Sequence, residues 1–331
     1  MSLINHLPRT PLAFLPTPIQ ELKRLRQTLG NSPRILIKRD DQTGLATGGN
    51  KTRKLEFLIA DALEKGADTI ITTGAAQSNH SRQTAAAAAR AGLDCILVLS
   101  GKPAESIQWG GNLLLDRLFG ASIHWTDSVA ERDPAMQSVA AELRQKGKRP
   151  YIIPVGGSVP VGAVGYVAAV EEVFSQLDQM DETIARMVVV SGSGGTHAGV
   201  LVGVKALAPQ IQVEGMNNFA VPGVRTVIRN LAHDTAKFLD LEISLGVEDF
   251  TIYDAGSHPY GVLTAAEREA IQLLARTEGI LLDPVYTGRA FAHLLHLIRS
   301  GHYQADETLL FWHTGGTASL FAYAEEFQPA R

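Results

Sequence analysis

The sequence predicts an α/β protein of two domains, each built on an open, mainly parallel twisted sheet covered by helices. Three observations lead there. Short β-branched runs alternate with helical patterns along the chain. The intervals between runs are long enough for crossover helices, which parallel strands require. At 331 residues the chain also exceeds the roughly 250–300 residues beyond which single cores stop growing.

The strand runs are ILIKR at 35–39, TIITT at 69–73, CILVL at 95–99, ASIHWT at 121–126, YIIPV at 151–155, MVVV at 187–190, IQVEGM at 211–216 and TLLFWH at 308–313. Between the first two, Leu55, Leu58, Ile59, Ala62 and Leu63 fall at helical spacing, so residues 51–65 form an amphipathic helix that Gly66 stops. Ser78 opens the alanine-rich segment QTAAAAARAG, whose small side chains suit a helix pressed on a sheet, with Gly92 at its end. Two Gly/Pro-rich stretches, 43–50 and 154–166, mark the passages between domains. A small α/β domain is therefore expected over 51–162, with 1–50 and 163–331 forming the large one.

Composition removes several function classes. With 30 Lys+Arg against 34 Asp+Glu, a formal charge of −4 and dispersed basic residues, there is no footprint for nucleic acid. The single cysteine, Cys95, excludes an intrachain disulfide, and its surroundings read as a buried strand. Prolines interrupt the first 20 residues where a secretory signal has an unbroken apolar stretch, and no run of about 18 apolar residues occurs, so no membrane partner is expected and the cytoplasm is the expected location.

Four loops marked by glycine or small polar residues follow strands and precede helices, which is where α/β sheets bind ligands. The first, GLATGGNKTRK, places Lys51 in the opening turn of a helix, where the dipole disfavours a cation; a solvated surface lysine is the plain alternative. It is not a nucleotide P-loop, because Asn50 separates Gly49 from Lys51. The second, TTGAAQSNHSRQT, has Ser78 as a helix cap that can also meet a ligand, beside Asn79 and His80. The third, VVVSGSGGTHAG, lets successive amides converge on an anion at a helix start, or simply turns the chain. A dinucleotide fingerprint competes for it: His197 stands where that motif needs glycine, while Glu214 follows at a suitable distance. The fourth pairs LLDPVYTGRA with LLFWHTGGTASL; Tyr286 alone would read as a core tyrosine. His293 and His296 lack an acidic companion at metal spacing, so no metal is expected, and no G-x-S-x-G elbow supplies a hydrolase serine.

A lysine, an anion-binding turn, tyrosines and small hydroxyl residues on such loops meet the needs of pyridoxal 5′-phosphate: an amine for a Schiff base, a phosphate site, a group facing the ring nitrogen, and an acid/base near the substrate. GGNKTRKLEF, QSNHSRQTA, GSGGTHAG, DPVYTG and HTGG, in this order over nearly the whole chain, resemble the 1-aminocyclopropane-1-carboxylate deaminase and D-cysteine desulfhydrase family. These are fold type II pyridoxal-phosphate enzymes with the tryptophan-synthase-β-like fold.

The resemblance implies that Lys51 carries the cofactor, that Lys54 assists at the phosphate, and that the turn of Gly192, Ser193, Gly194, Gly195 and Thr196 cradles it. Asn79 would contact the ring 3-hydroxyl. Ser78 and the amides of Gln77, Asn79 and His80 would hold the carboxylate of a small amino-acid substrate, with Tyr286 and Tyr260 flanking it. Deaminases of this family have glutamate at position 287, facing the ring nitrogen, and leucine at position 314. Thr287 and Thr314 stand there instead, as in the desulfhydrases, which argues for β-elimination because a hydroxyl cannot hold the ring nitrogen protonated as a carboxylate does. The implied reaction takes D-cysteine to pyruvate, hydrogen sulfide and ammonia, with Lys51, Tyr286 or Tyr260 as base. L-Cysteate is the rival substrate, with Arg82 and His80 as candidate sulfonate ligands, although surface solvation is the plainer role for Arg82. A nucleotide-binding oxidoreductase and a non-catalytic cofactor-binding protein are alternatives of other classes. The family is commonly dimeric, so a homodimer is expected.

Overall fold

A computed structural model describes residues 2–4, 6–101, 110–218, 223–256, 258–259 and 261–327. The strands are β1 (Ile19–Glu21), β2 (Arg34–Arg39), β3 (Thr69–Ala75), β4 (Asp94–Ser100), β5 (Ser122–Thr126), β6 (Pro150–Ile153), β7 (Arg186–Ser191), β8 (Gln212–Asn217), β9 (Thr251–Asp254) and β10 (Thr308–His313). The helices are α1 (Lys23–Leu29), α2 (Lys51–Glu64), α3 (Asn79–Ala91), α4 (Gly111–Leu118), α5 (Arg132–Gln145), α6 (Pro160–Gln179), α7 (Gly195–Leu207), α8 (Val224–Phe238), α9 (Ala265–Glu278), α10 (Thr287–Arg299) and α11 (Thr317–Leu320). Among the described residues no helix is long and apolar enough to cross a membrane.

The strands form a six-stranded sheet, ordered β1-β2-β10-β7-β8-β9, and a four-stranded sheet, β5-β4-β3-β6. Every pairing is parallel except β1 with β2. Each expected strand run is present. YIIPV ends early, because Pro154 and Val155 leave the ladder for a short turn.

Continuous apolar runs arise because each sheet is covered on both faces. In the large sheet Leu36, Met187, Val189, Leu310 and Trp312 pack with residues of α6, α7 and α8. Their neighbours Ile35, Ile37, Val188, Val190, Leu309 and Phe311 pack with α9 and α10 on the other face. In the small sheet Ile70, Leu97, Leu99 and Ile153 meet α2 and α3. Cys95 belongs to that core, where burial pushes its thiol up to about 12. Leu63 departs from the expected apolar face of α2 and is exposed.

Charge as well as apolar packing fixes α2. Arg53 is buried and donates from Nε and Nη2 to Asp40, at 2.9 and 2.8 Å, and from Nη1 and Nη2 to Glu172 of α6, at 3.0 and 2.8 Å. Asp40 also accepts from Thr17 Oγ1 (2.8 Å), Tyr166 Oη (2.6 Å) and Trp312 Nε1 (2.8 Å). Burial alone would raise the Asp40 carboxyl, but the guanidinium against it prevails and holds it below the usual carboxylate range. Removing one member of such a group strands the others without compensation. Arg53→Met is expected to cost about 3–5 kcal/mol, read as a lowered urea midpoint; a loss below about 1 kcal/mol, as for an exposed pair, would contradict this.

Candidate active site

In each sheet the chain order reverses once, between β7 and β10 in the large one and between β3 and β6 in the small one. Ligands of open α/β sheets settle outside the carboxyl ends of the strands at such points. Here the two points share a cavity of about 850 Å³. Its wall takes Val190, Gly192, Ser193, Gly194 and Thr196 from the end of β7, Thr314 from β10, Gly74, Ala75, Ser78, Asn79 and His80 from β3 and the start of α3, and Val155 and Gly156 from β6. Lys51 enters from the start of α2 and Tyr286 from the residue before α10.

The amine of Lys51 has no hydrogen-bond or ion-pair partner among the described residues. Burial lowers it from the ordinary lysine range to about 8. Lys54, one turn on and fully buried, donates to the carbonyl of Gly156 at 3.0 Å; burial, and then the charge of Lys51, hold it well below the usual value. The two amines face the same side because residues at i and i+3 share a helix face, while Arg53 points away into its carboxylates.

The glycine turn behaves as an anion cradle. A Cβ on Gly195 would stand 2.7 Å from Lys54 Nζ and 2.8 Å from Ser158 Oγ, so only glycine lets the backbone approach the amine. Gly195 opens α7, whose first amides lack intrahelical acceptors; one donates to Ser158 Oγ at 3.2 Å. Ser158 also bonds Ser193 at 2.8 Å, and Asn50 Nδ2 bonds Thr196 Oγ1 at 2.9 Å, which locks the turn to the residue before Lys51.

Ser78 both caps α3, accepting from the Ser81 amide at 3.1 Å, and lines the cavity. Asn79 and His80 line it too, but the His80 ring turns inward to Thr72, 2.7 Å away, and burial holds it neutral. The Gln77 side chain turns aside to α4, donating to the Gly110 carbonyl at 3.0 Å and accepting from the Asn112 amide at 2.9 Å. Thr287 is not brought to the cavity wall. Its hydroxyl donates to Asp283 Oδ1 and accepts from the Asp283 amide, both at 2.8 Å, because the Asp283 carboxylate is gathering the first amides of α10. Tyr260 lies outside the described residues.

Arg82 is not on the surface, as solvation would require. It is fully buried, on Asn112 Oδ1 (2.9 Å) and the Gly48 carbonyl (2.8 Å), away from the cavity wall. Glu214 is equally committed: it accepts from Arg186 and from Tyr303 Oη at 2.6 Å each, inside β8. No free carboxylate remains there for a nucleotide ribose, and the oxidoreductase alternative loses its support. Sequence reasoning did not find Arg132, Ser100, Asn112 and Ser158. Arg132 lines the cavity and donates to Ser100. None of the four stands in one of the four loops singled out above, although Ser158 falls in the Gly/Pro-rich stretch 154–166 read only as an interdomain passage.

These residues fit a phosphate-bearing carbonyl cofactor: an unpartnered amine, an amide cradle closed by a second amine, and no carboxylate among the described residues of the wall. The chain belongs to the pyridoxal-phosphate dependent enzyme family, whose model matches residues 11–315. Its cofactor is pyridoxal 5′-phosphate. The chain is 44% identical to the D-cysteine desulfhydrase of Salmonella typhi over 331 residues, 97% of each chain. It is likewise 44% identical to that of Salmonella typhimurium over 334 residues, 97% of this chain and 98% of the relative. A crystal structure of an ACC deaminase homologue superposes with a TM-score of 0.88 at 39% identity, covering 98% of this chain and 96% of the other. The processed form of threonine deaminase isoform 2 from Solanum lycopersicum, at 17% identity and TM-score 0.62, covering 91% of this chain and 79% of the other, shares the fold. The fold type II assignment drawn from five short motifs agrees with these relatives.

An amine attacks a carbonyl only when neutral. Capture of pyridoxal by the apoprotein, followed by absorbance, is therefore expected to accelerate as pH rises and to level off above about 8. A rate still climbing toward the ordinary lysine value would contradict the lowered Lys51 amine.

Proposed function

We propose that this protein is a D-cysteine desulfhydrase, converting D-cysteine and water to pyruvate, hydrogen sulfide and ammonia. The observation that carries the reading is the cavity itself: an unpartnered Lys51 amine beside an anion cradle, in a wall whose described residues include no Asp or Glu. The curated relatives of that name, matched over nearly the full length, support it.

Bound pyridoxal phosphate draws electrons from the substrate α-carbon, which acidifies its hydrogen and lets the β-substituent depart. The protein's part is placement and proton handling. Lys51 holds the cofactor and, once displaced by the substrate amine, is a base of suitable strength. Lys54 and the Gly192–Thr196 turn balance the phosphate charge. The amides at the start of α3, with Ser78, take the substrate carboxylate. Tyr286, in the cavity wall, flanks the reacting carbon, and the family resemblance gives Tyr260 the same role. Thr314 would offer the ring nitrogen a hydroxyl, with no carboxylate among the described residues of the wall to protonate it; this favours elimination over opening a cyclopropane ring, which needs the deeper electron sink.

A second reading, L-cysteate sulfo-lyase, is favoured by one observation: Arg132, already bonded to Ser100, lines the cavity and puts a positive charge where a sulfonate would sit. Arg82, tied to Gly48 and Asn112, is not available for that task. With the desulfhydrase reading go a small domain over 51–162, supported by the confinement of the four-stranded sheet to residues 69–153, and a cytoplasmic location, supported by a lone buried thiol. A homodimer is also proposed; exposed Leu118 and Phe321, on segments that pack together, are apolar side chains a partner would cover.

Cofactor-saturated protein is expected to release pyruvate and sulfide in equal amounts from D-cysteine, and neither from L-cysteine or with Lys51→Ala. Pyruvate from L-cysteate with none from D-cysteine would overturn the substrate assignment. No turnover of any of the three by protein with a normal chromophore would favour a binding protein.

A further inference from the structure

Asn112, in the first turn of α4, is not part of the cavity wall, yet its side-chain nitrogen is spent on the loop that is, and its oxygen on a buried arginine of α3. Its Oδ1 accepts from Arg82 Nη1 at 2.9 Å. Its Nδ2 donates to the Gln77 carbonyl at 2.9 Å and to Asn79 Oδ1 at 3.0 Å. Asn112, Arg82 and Asn79 are all buried. Glycine at position 111 permits the approach: its φ is +59°, and a Cβ there would meet Gln77 Oε1 at 2.5 Å.

The chemistry of these groups allows one arrangement. A guanidinium has donors and no acceptor, so Asn112 must turn its oxygen to Arg82. Its nitrogen then faces the Gln77 carbonyl, which can only accept, and Asn79. Against that donor Asn79 can offer only Oδ1, and the Asn79 amide nitrogen is left for the cavity. Arg82 cannot swing away, since its Nη2 is held by the Gly48 carbonyl at 2.8 Å, three residues before Lys51. Asp116 does not draw it off either: both carboxyl oxygens lack a hydrogen-bond partner among the described residues, and burial raises that carboxyl to about 8.

We infer that Arg82 and Asn112 form a polarity relay that fixes the Asn79 amide, so that it presents N–H donors and never its carbonyl oxygen to the ring oxygen of bound pyridoxal phosphate. This makes Asn112 a positioning residue, and it rests on the proposed contact between Asn79 and that ring oxygen. Asn112→Asp preserves shape but replaces the donor with an acceptor, which repels Asn79 Oδ1 and turns the Asn79 oxygen toward the ring.

The test is a double-mutant cycle on the holoprotein, reading the cofactor's visible absorption band and its dissociation constant. Asn79→Ala is expected to shift the band and weaken cofactor binding roughly ten- to a hundredfold, the loss of one hydrogen bond to a charged acceptor. Asn112→Asp is expected to shift the band the same way with a similar loss, and to add nothing in the Asn79→Ala background. Asn112→Ala, which removes the selector without reversing it, is expected to give a smaller shift in the same direction, again absent without Asn79; it serves if the aspartate variant does not fold. A wild-type band and affinity in the Asn112 variants, while Asn79→Ala is altered, would overturn the relay. So would an undiminished Asn112→Asp effect in the Asn79→Ala background, which would mean that Asn112 acts through the Gln77 loop. An unaltered Asn79→Ala protein would remove both the ring contact and the relay.

Discussion

The placement of α2 depends on the buried contact between Arg53 and Asp40. Three elements meet there: the segment after β2, which supplies Asp40; α6, which supplies Glu172; and the first turn of α2, which supplies Arg53. Lys38 from β2 joins the same group, donating to Glu172 at 2.5 Å, although burial lowers its own amine. A charged cluster of this kind adds little stability over a well-packed apolar one, since desolvation offsets most of the attraction. What it adds is orientation. With Arg53 held by two carboxylates, the helix cannot rotate, and Lys51 and Lys54 must face the other way, toward the cavity.

That orientation produces two amines of different character one turn apart. Lys51 has no partner among the described residues, and the Lys54 amine sits against a backbone carbonyl and a glycine whose missing side chain makes room for it. Burial weakens both as cations. An anion in the cradle restores the charge of the nearer amine and leaves the other free to act as a nucleophile. The two sheets contribute their reversal points to one space, so residues far apart in sequence converge without long loops.

Much of this was legible in the sequence because the relevant signals are local. Strands such as MVVV and TLLFWH read clearly, since a sheet covered on both faces leaves no polar alternation to confuse the pattern. β1 and β9, of three and four residues at the sheet edges, are too short and too mixed to stand out. Ser78 was readable as a cap, and Gly92 as a stop, from helix-end chemistry alone. Arg82 was not readable: its place beside an alanine run suggests a solvated side chain, and only the approach of α4 and the Gly48 turn explains its burial. Ser158 and Asn112 follow glycine pairs, but their roles were not readable because their partners, like that of Arg132, lie in other segments. Thr287 shows the limit from the other side: a motif position suggests a ligand contact, whereas the nearby Asp283 carboxylate claims its hydroxyl.

The division of labour between the two amines is the central claim, and covalent trapping tests it most directly. Borohydride reduction of the holoprotein followed by peptide mapping should place the cofactor mass on Lys51 and none on Lys54. Label on Lys54, or shared between the two, would contradict the account of how Arg53 orients the helix and of which amine is left free.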